Sequence, residues 1–220
     1  MAFLEVQDIS KSFDGVEIIR PTSFRVSAGD TIAFTSPSGS GKSTLLSMVG
    51  LLLTPDAGSI VLEDGTNALG LDDKACSRLR QRLFGFVFQS TQLVGSLRAI
   101  ENVTAPASFA GKLSFDPAER AEQLLVQFGL ADRIYHYPSQ LSVGQKRRVA
   151  VARALLLEPS IVIADEPTND LDEESAKVVA DALFTYAEEG HALLYATHDA
   201  ALASQAATVM TMRDKAFCYQ

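Results

Sequence analysis

The segment Thr35–Thr44 is best suited to chemistry, because it consists mainly of small or hydroxyl-bearing residues and carries Lys42 and Ser43 near its end. An apolar run at 31–34 precedes this segment, and another at 45–49 follows it. Small side chains let backbone N–H groups approach phosphate oxygens, and the start of a helix favours anions. Lys42 can then neutralise β- and γ-phosphates, and the Ser43 hydroxyl can ligate Mg²⁺. The order predicts a strand, a phosphate-binding loop and a helix; the alternative is a turn that only caps a helix.

One position of this loop departs from the pattern G-x-x-x-x-G-K-[ST], because Ser36 stands where the first glycine is expected. Glycine accepts positive φ, which costs a residue with a side chain about 1 kcal/mol or more. At positive φ, Ser36 would weaken nucleotide binding or shift the loop, whereas at negative φ it would be nearly harmless. We predict a loop that binds nucleotide, with Ser36 at negative φ.

Two adjacent carboxylates, Asp165 and Glu166, follow the apolar run 161–164. Parallel sheets bind ligands at the edge where their strands end. Neighbouring side chains leave a strand end in different directions, so the two acids can have different roles. Asp165 can hold Mg²⁺, usually through water, and Glu166 can orient and deprotonate an attacking water. A solvated acidic pair is the alternative, but a phosphate-binding loop in the same chain favours the catalytic interpretation.

The segment 141–145, Leu-Ser-Val-Gly-Gln, predicts the start of a helix. Ser142 and Gln145 have the spacing of a capping box, and the helix should run toward Leu157 and stop before Pro159. A capped, glycine-containing helix start is also an anion site. The segment therefore predicts a cap and, in addition, a contact with phosphate.

The pattern of apolar residues predicts an α/β fold. Apolar residues at the helical spacing i, i+3, i+4, i+7 predict a helix over 118–128, which Gly129 ends, within a helical lobe over 90–141. Strands that alternate with helices after residue 160 predict a mostly parallel sheet covered by helices. The other elements expected are short strands joined by tight turns within 1–30, strands at 59–63 and 83–88, strands at 161–164 and 192–197, and a helix near 173–188.

Composition narrows the classes of protein to which the chain can belong. The chain has 220 residues and a net charge of −8, which argues against broad nucleic-acid binding. The basic cluster Lys146–Arg148 with Arg153 is interpreted as a solvated helix face. No apolar stretch is long enough to span a bilayer, and no signal peptide is evident. Two cysteines without metal-like spacing predict a reduced, cytoplasmic location.

Taken together, the motifs resemble the nucleotide-binding subunit of ATP-binding cassette (ABC) transporters. The resemblance rests on Leu-Ser-Val-Gly-Gln-Lys-Arg-Arg-Val-Ala-Val-Ala-Arg-Ala-Leu-Leu followed by the 161–166 strand, and it covers essentially the whole chain. It implies a P-loop NTPase with a mostly parallel sheet core, an antiparallel β subdomain and a helical subdomain. The core and β subdomain would be 1–89 and 160–220, and the helical lobe with its signature helix would be 90–159.

The resemblance assigns further roles. Phe13 would stack on adenine, although as an isolated aromatic residue it is equally typical of a core. Gln89 would approach Mg²⁺, His198 would contact the γ-phosphate, and the loop 169–172 would cross a dimer interface. Catalysis would fall to Glu166, His198 and Lys42, and the metal site to Ser43, Gln89 and Asp165. The nucleotide would contact Phe13, Ser38, Gly39, Ser40, Gly41, Lys42, Ser43, Thr44, Gln89, Ser142, Gly144 and Gln145.

The implied function is ATP hydrolysis that powers transport. Two copies, or this chain and a homologous subunit, would enclose two ATP molecules, each held by the Lys42 loop of one chain and the Ser142 helix of the other. An integral membrane subunit would be separate and would contact the Gln89 region and the helical lobe. Glu101-Asn102-Val103 and the run 164–168 resemble the lipoprotein-release, macrolide-export and cell-division class. The alternative, suggested by Ser36, is a weakly hydrolysing module that regulates a membrane partner.

Overall fold

The structure, a computed structural model, describes residues 2–37 and 39–220. Two sheets organise this part of the chain: one of six strands and one of three. The strands are β1 (Ala2–Phe13), β2 (Val16–Ser27), β3 (Thr31–Thr35), β4 (Ala57–Leu62), β5 (Phe84–Val87), β6 (Ile161–Asp165), β7 (Ala192–Thr197), β8 (Thr208–Arg213) and β9 (Ala216–Tyr219). The helices are α1 (Lys42–Val49), α2 (Asp73–Leu83), α3 (Ala99–Thr104), α4 (Pro117–Gln127), α5 (Val143–Leu155), α6 (Glu173–Glu188) and α7 (Ala200–Ala203).

The six-stranded sheet brings the predicted chemical groups to one edge. Its order is β5-β6-β7-β3-β8-β9, and all neighbours are parallel except the pair β8 and β9. Thr35, the last residue of β3, pairs with Thr197 of β7, and Asp165 of β6 pairs with Ala196. Because parallel strands end at the same edge, the loop after β3, the acidic pair and His198 all meet there. The predicted α/β class with an antiparallel sheet is confirmed.

The N-terminal strands are longer than expected. The prediction of several short strands within 1–30 is wrong, because β1 and β2 are each 12 residues long and pair along their lengths. Register shifts interrupt the pairing, one of them between Val6 and Ile9, where Asp8 has positive φ. Such bulges break the alternation of apolar and polar residues without ending the strand. The tight turn at Asp14-Gly15 is as predicted.

Most predicted helices and strands after residue 90 occur where the periodicity placed them. α6 and β7 have the predicted bounds, and α4 is followed by Gly129 at a φ of 67°. Between residues 90 and 159, every regular element is helical.

Helix α2, which precedes this region, was not predicted, because its sequence is rich in charge and only Leu79 and Leu83 of it are buried.

The interpretation of the basic cluster on α5 as a solvated face is wrong. Arg147 is buried, with 3% of its surface exposed, and its guanidinium donates to the carbonyls of Phe88 and Gln89. Arg148 donates to a carbonyl of the loop after α4, and Arg153 donates to two carbonyls after β5. These loops lie against α5 with carbonyl groups that need donors. Long-range packing, which local sequence does not record, therefore buries Arg147 and half-buries Arg148 and Arg153.

Two apolar clusters form the core, one on each side of the six-stranded sheet. One contains Leu125, Val149, Leu183 and Tyr195, and so unites α4, α5 and α6 with the sheet. The other contains Leu4, Phe34, Leu45 and Ile60, and joins the three-stranded sheet to α1. No helix in the described ranges 2–37 and 39–220 has the length and apolar character that crossing a membrane requires.

Candidate functional site

A cavity of about 330 Å³ opens at the edge where β3 and β6 end. Its walls come from β1, β2, the loop after β3, the start of α1, the loop after β5 and the end of β6. The cavity is lined by Phe13, Ile18, Gly39, Ser40, Gly41, Lys42, Ser43, Thr44, Gln89, Asp165 and Glu166. The predicted residue Ser38 lies outside the described residues. The fold thus gathers residues that are up to 153 positions apart in the sequence, Phe13 and Glu166 among them.

The loop between β3 and α1 requires glycine at position 41. Gly41 precedes α1 with a φ of 106°, in the region that disfavours side chains. A Cβ atom there would also lie 2.7 Å from Ile19 Cδ1. Gly41 offers no side chain to cap the helix, so the first N–H groups of α1 have no capping acceptor. This helix start, directed at the cavity, favours an anion.

Lys42 is the buried cation of the site, with 7% of its surface exposed. Its Nζ donates to the carbonyl oxygen of Ser36 at 2.7 Å and lies 3.7 Å from Glu166 Oε1. Burying an ammonium group is costly unless acceptors surround it. The loop carbonyls and the carboxylate supply those acceptors, so the lysine is held in the cavity wall.

Ser36 adopts the backbone conformation that we predicted. It is absent from the described residues with positive φ, so the angle that favours glycine is not required at this position. Its hydroxyl contacts that of Ser40, and Ser40 donates to the Pro37 carbonyl at 2.6 Å. Because the Ser40 hydrogen is directed at Pro37, Ser36 donates in the contact with Ser40. The serine therefore adds a hydrogen bond within the loop.

We expect Ser36→Gly to change the dissociation constant for Mg-ATP by less than about threefold, because no backbone strain is relieved. The free energy of unfolding should fall by about 0.5–1 kcal/mol, since glycine increases the entropy of the unfolded chain. Calorimetric titration and urea unfolding measure the two quantities. Ser36→Ala, which removes the hydroxyl alone, is the matched control. Binding that tightens more than tenfold in Ser36→Gly would mean that the serine backbone is strained.

The two residues of the acidic pair, Asp165 and Glu166, lie in different environments. Burial raises the pKa of Asp165 above its ordinary value, and the nearby Glu166 adds to this, while a hydrogen bond from Ser43 opposes it. Glu166 is 9% exposed and has a φ of 48°, which is uncommon for a residue with a side chain. Its backbone N–H donates to the Ala196 carbonyl at 3.0 Å, which fixes this turn to β7.

His198 completes a short row of side chains with Lys42 and Glu166. Its Nδ1 lies 2.9 Å from Glu166 Oε2, while Lys42 lies on the other carboxylate oxygen. Because an ionised carboxylate only accepts hydrogen bonds, Nδ1 carries the hydrogen in this contact. The imidazole is 62% exposed, so it reaches from the buried acid toward solvent.

Phe13 and Gln89 border the cavity and are exposed. The interpretation of Phe13 as a core residue is excluded, because 46% of its surface is exposed. Gln89 follows β5 and is exposed on the same cavity. Ile18, which also lines the cavity, was missed, since an apolar residue of an N-terminal strand carries no signal of a binding role.

Ser142, Gly144 and Gln145 do not line this cavity. The predicted capping box is confirmed: Gln145 N donates to Ser142 Oγ at 3.2 Å, and Ser142 N donates to Gln145 Oε1 at 2.9 Å. Ser142 and Val143 are exposed, whereas Gly144 is buried where α5 meets the start of α6. A Cβ atom at Gly144 would lie 2.3 Å from Ser175 Oγ. Gly144 thus has a packing role that the motif did not reveal.

We expect Gly144→Ala to lower the free energy of unfolding by about 1–3 kcal/mol, because the added methyl group overlaps Ser175. Urea unfolding without nucleotide measures this. Gly70→Ala is the control, since a Cβ there meets nothing within 4 Å. Adding Ser175→Gly removes both clashing atoms and should restore much of the lost stability. Equal stability of the Gly144→Ala and Gly70→Ala variants would contradict the packing role.

The donors and acceptors of the cavity fit a magnesium-bound polyphosphate. The α1 N-terminus and the Lys42 ammonium suit phosphate oxygens. Ser43, Gln89 and Asp165 present oxygen ligands, which Mg²⁺ prefers. Among the described residues, no cluster of three or more His, Cys, Asp or Glu side chains could hold a metal. Mg²⁺ is usually held in proteins by one or two carboxylates together with phosphates and water, and Asp165 is such a carboxylate.

Several known proteins are similar to this chain in sequence and in fold. A family model described as ABC transporter matches residues 19–169. The lipoprotein-releasing system ATP-binding protein LolD of Hyphomonas neptunium is 41% identical over 96% of this chain and 94% of its own length. The macrolide export ATP-binding/permease protein MacB 1 of Yersinia pestis bv. Antiqua is 40% identical over 97% of this chain, which spans 33% of that protein.

A solved structure gives the same relationship in three dimensions. It is described as a dimeric, post-hydrolysis state of an ATP-binding cassette bound to ADP and Pi. It superposes with a TM-score of 0.89 at 29% identity, and the match covers 99% of this chain and 97% of that one. Fold, motif order and sequence identity agree: the chain belongs to the ABC transporter family and is an ATP-binding ATPase cassette of that family.

Proposed function

We propose that this chain is the ATP-hydrolysing subunit of an ABC transporter, and that it powers a separate membrane subunit through ATP-driven closure of a dimer. The observation that carries the proposal is the placement of Glu166 in the cavity wall. Its two carboxylate oxygens lie 3.7 Å from the Lys42 ammonium and 2.9 Å from the His198 imidazole. A buried base between two groups that can stabilise phosphate charge is what phosphoryl transfer to water requires.

In the proposed complex, each wall of the cavity binds one part of Mg-ATP. Phe13 stacks on the adenine, and the loop residues Gly39–Thr44 surround the phosphates. Ser43, Gln89 and Asp165 hold the metal, which when bound neutralises phosphate charge. The exposure of Phe13 and Gln89 on the cavity supports these roles, because neither side chain is occupied in the core.

In the proposed reaction, Glu166 orients a water molecule and accepts its proton as the water oxygen bonds to the γ-phosphorus. The bond between that phosphorus and the β–γ bridging oxygen breaks, so that ADP leaves with the electron pair and inorganic phosphate forms. Lys42 and His198 stabilise the charge that develops on the phosphate oxygens. Glu166 is held by Lys42, by His198 and by its own backbone hydrogen bond to β7. Such fixed groups need little reorganisation during the reaction, which is where electrostatic catalysis gains most.

We propose that a second copy, or a homologous subunit, completes each site. Ser142, Gly144 and Gln145 would contact the nucleotide of the partner. Two observations support this: the residues do not line their own cavity, and the helix start that carries Ser142 is exposed. The loop 169–172 would cross the interface, and Asp172, which caps α6 through Ser175 N, would fix it there.

A second cavity of about 420 Å³ is the proposed contact for the membrane subunit. It lies between α2, β5 and α5 and is lined by Phe84, Phe86, Phe88, Gln92 and Arg153, among others. Because the loop after β5 borders both cavities, nucleotide and membrane subunit would act on the same segment.

The chain would lie in the cytoplasm at the inner face of the plasma membrane. The names of its relatives favour the lipoprotein-release or macrolide-export class.

We favour ATP hydrolysis over the alternative, a weakly hydrolysing regulatory module. It depended on Ser36, whose backbone angle lies outside the region that favours glycine. No other described feature of the site favours it over hydrolysis.

Steady-state hydrolysis by the purified protein tests the proposal. We expect Mg²⁺-dependent release of phosphate from ATP, with a specific activity that rises with protein concentration because two copies form each site. Addition of the membrane subunit should raise turnover further. Failure to bind Mg-ATP at millimolar concentration would contradict the proposal, and so would a specific activity independent of protein concentration.

A further inference from the structure

Arg147 is a buried guanidinium on α5 whose main partners are two consecutive backbone carbonyls. Its Nη1 donates to Phe88 O at 2.6 Å, and its Nη2 donates to Gln89 O at 2.7 Å. Both distances are short, as expected when a charged donor meets a carbonyl. The fork of the guanidinium thus fixes the orientation of two peptide groups at once, and one of them belongs to Gln89.

Arg153 makes the same kind of contact farther along the loop. Its Nη2 donates to Thr91 O and its Nη1 to Gln92 O, both at 3.0 Å. Four of the five carbonyls in 88–92 therefore accept hydrogen bonds from α5. Among the described residues, no loop or turn hydrogen bond between backbone groups involves 88–92. The two arginines take the place of such bonds.

Burying the charged side chain of Arg147 costs free energy, which indicates a role beyond local packing. No ion pair within 4.0 Å includes Arg147 in the described part of the chain, and its Nε is buried without a partner. Burial lowers its pKa, while Asp170 and Asp165 act in the opposite direction. The positive charge thus lies near the proposed metal ligand Asp165 and near the loop proposed to cross the dimer interface.

We propose that Arg147 is a positioning residue for Gln89, and that Arg153 anchors the other end of the same loop. With both in place, the loop 88–92 is attached to α5, the helix that begins beside Ser142. Gln89 then keeps a fixed position in the wall of the cavity that Asp165 also lines. The proposal deepens the proposed function, because it rests on Gln89 as a ligand of the magnesium-nucleotide complex.

The chain offers a matched control in Arg148. This neighbour also has a buried, unpartnered Nε and donates to one backbone carbonyl, that of Phe128 at 2.9 Å. Its carbonyl partner belongs to the loop after α4 and not to the Gln89 loop. Arg147→Met and Arg148→Met remove similar groups, so their difference isolates the effect on Gln89. Arg147→Lys keeps the charge but loses the fork.

A spin label on the loop tests the anchoring without nucleotide. It is attached at Ser90, which is exposed, through Ser90→Cys in a background carrying Cys76→Ser and Cys218→Ser. We expect Arg147→Met to increase label mobility, Arg148→Met to leave it unchanged, and Arg147→Lys to give an intermediate spectrum. Unchanged mobility in folded Arg147→Met protein, as judged by circular dichroism, would overturn the proposal.

Kinetics in the unlabelled protein test the effect on Gln89. We expect Arg147→Met to raise the KM for Mg²⁺ at fixed ATP about tenfold, with a smaller change in kcat, because loss of a group that orients a metal ligand typically costs about 10–100-fold in metal affinity. Arg148→Met should leave this KM unchanged. Equal KM values in the wild type and Arg147→Met would overturn the positioning role even if the label became mobile. If the wild type did not hydrolyse ATP at all, the proposed function would fail, while the label would still decide whether α5 anchors the loop.

Discussion

Glu166→Gln is expected to lower the turnover number for ATP by at least about 100-fold, because a general base contributes roughly 10²–10⁴-fold to rate. Glutamine keeps the shape of the side chain, and its carbonyl oxygen can still accept from His198 Nδ1, but it cannot take a proton from water. Lys42 retains the Ser36 carbonyl as an acceptor, so the phosphate-binding loop should keep its conformation. Binding of Mg-ATP should therefore stay within a few-fold of the wild type, and the closed dimer should accumulate.

Phosphate release measures turnover, calorimetric titration measures binding, and light scattering measures dimer formation. Glu188→Gln makes the same chemical change at an exposed position at the end of α6, away from the cavity, and should retain full activity. Hydrolysis at the wild-type rate in Glu166→Gln would show that another group activates water. Loss of both turnover and binding would indicate a role in holding Lys42 and not in proton transfer.

Much of this site could be predicted from short sequence segments. The loop before Lys42 and the acidic pair each follow an apolar run, and a strand that ends in a functional loop is a local pattern. The capping box of Ser142 and Gln145 is local too, since all its partners lie within four residues. The order of the motifs then identified the family, because each motif alone fits several classes of protein.

The parts that could not be predicted depend on contacts between distant segments. Arg147 has the composition of a surface residue, and only the loop after β5, 58–59 positions away, gives it a buried role. Gly144 is buried because Ser175 lies over it across the meeting of α5 and α6. The lengths of β1 and β2 depended on pairing that continues through bulges. Periodicity detects which face of an element is apolar, but it does not reveal what covers that face.

Asp165→Asn is expected to stabilise the empty protein and to abolish its activity. Burial is the largest cause of the raised pKa of Asp165, so the folded, empty site disfavours the ionised form relative to the unfolded chain. A group whose pKa is raised by folding contributes stability below its unfolded pKa and loses that contribution as pH rises through its folded pKa. At pH 8 the wild type lacks this contribution. Asparagine has no charge to desolvate, and it keeps the shape of the aspartate side chain.

Thermal unfolding at two pH values measures this effect. At pH 8 without nucleotide, Asp165→Asn should unfold at a higher temperature than the wild type, and each kcal/mol of added stability shifts the melting temperature by about 2–4 °C in a domain of this size. The difference should shrink as pH falls through the pKa of Asp165, because the wild-type carboxyl group then becomes neutral. Asp181→Asn, at an exposed position on α6, controls for the loss of one negative charge from an acidic chain.

Addition of Mg-ATP should reverse the order of stability. A ligand that binds only the folded state stabilises it according to its concentration and affinity. The wild type should gain this stabilisation and Asp165→Asn should lose most of it, because a neutral amide is a poor ligand for Mg²⁺. A lower melting temperature of Asp165→Asn at both pH values would contradict the argument. The empty wild-type site is expected to be less stable than its neutral variant, because it keeps a carboxylate available for a cation. The free energy that disfavours the bare charge is recovered when the cation binds.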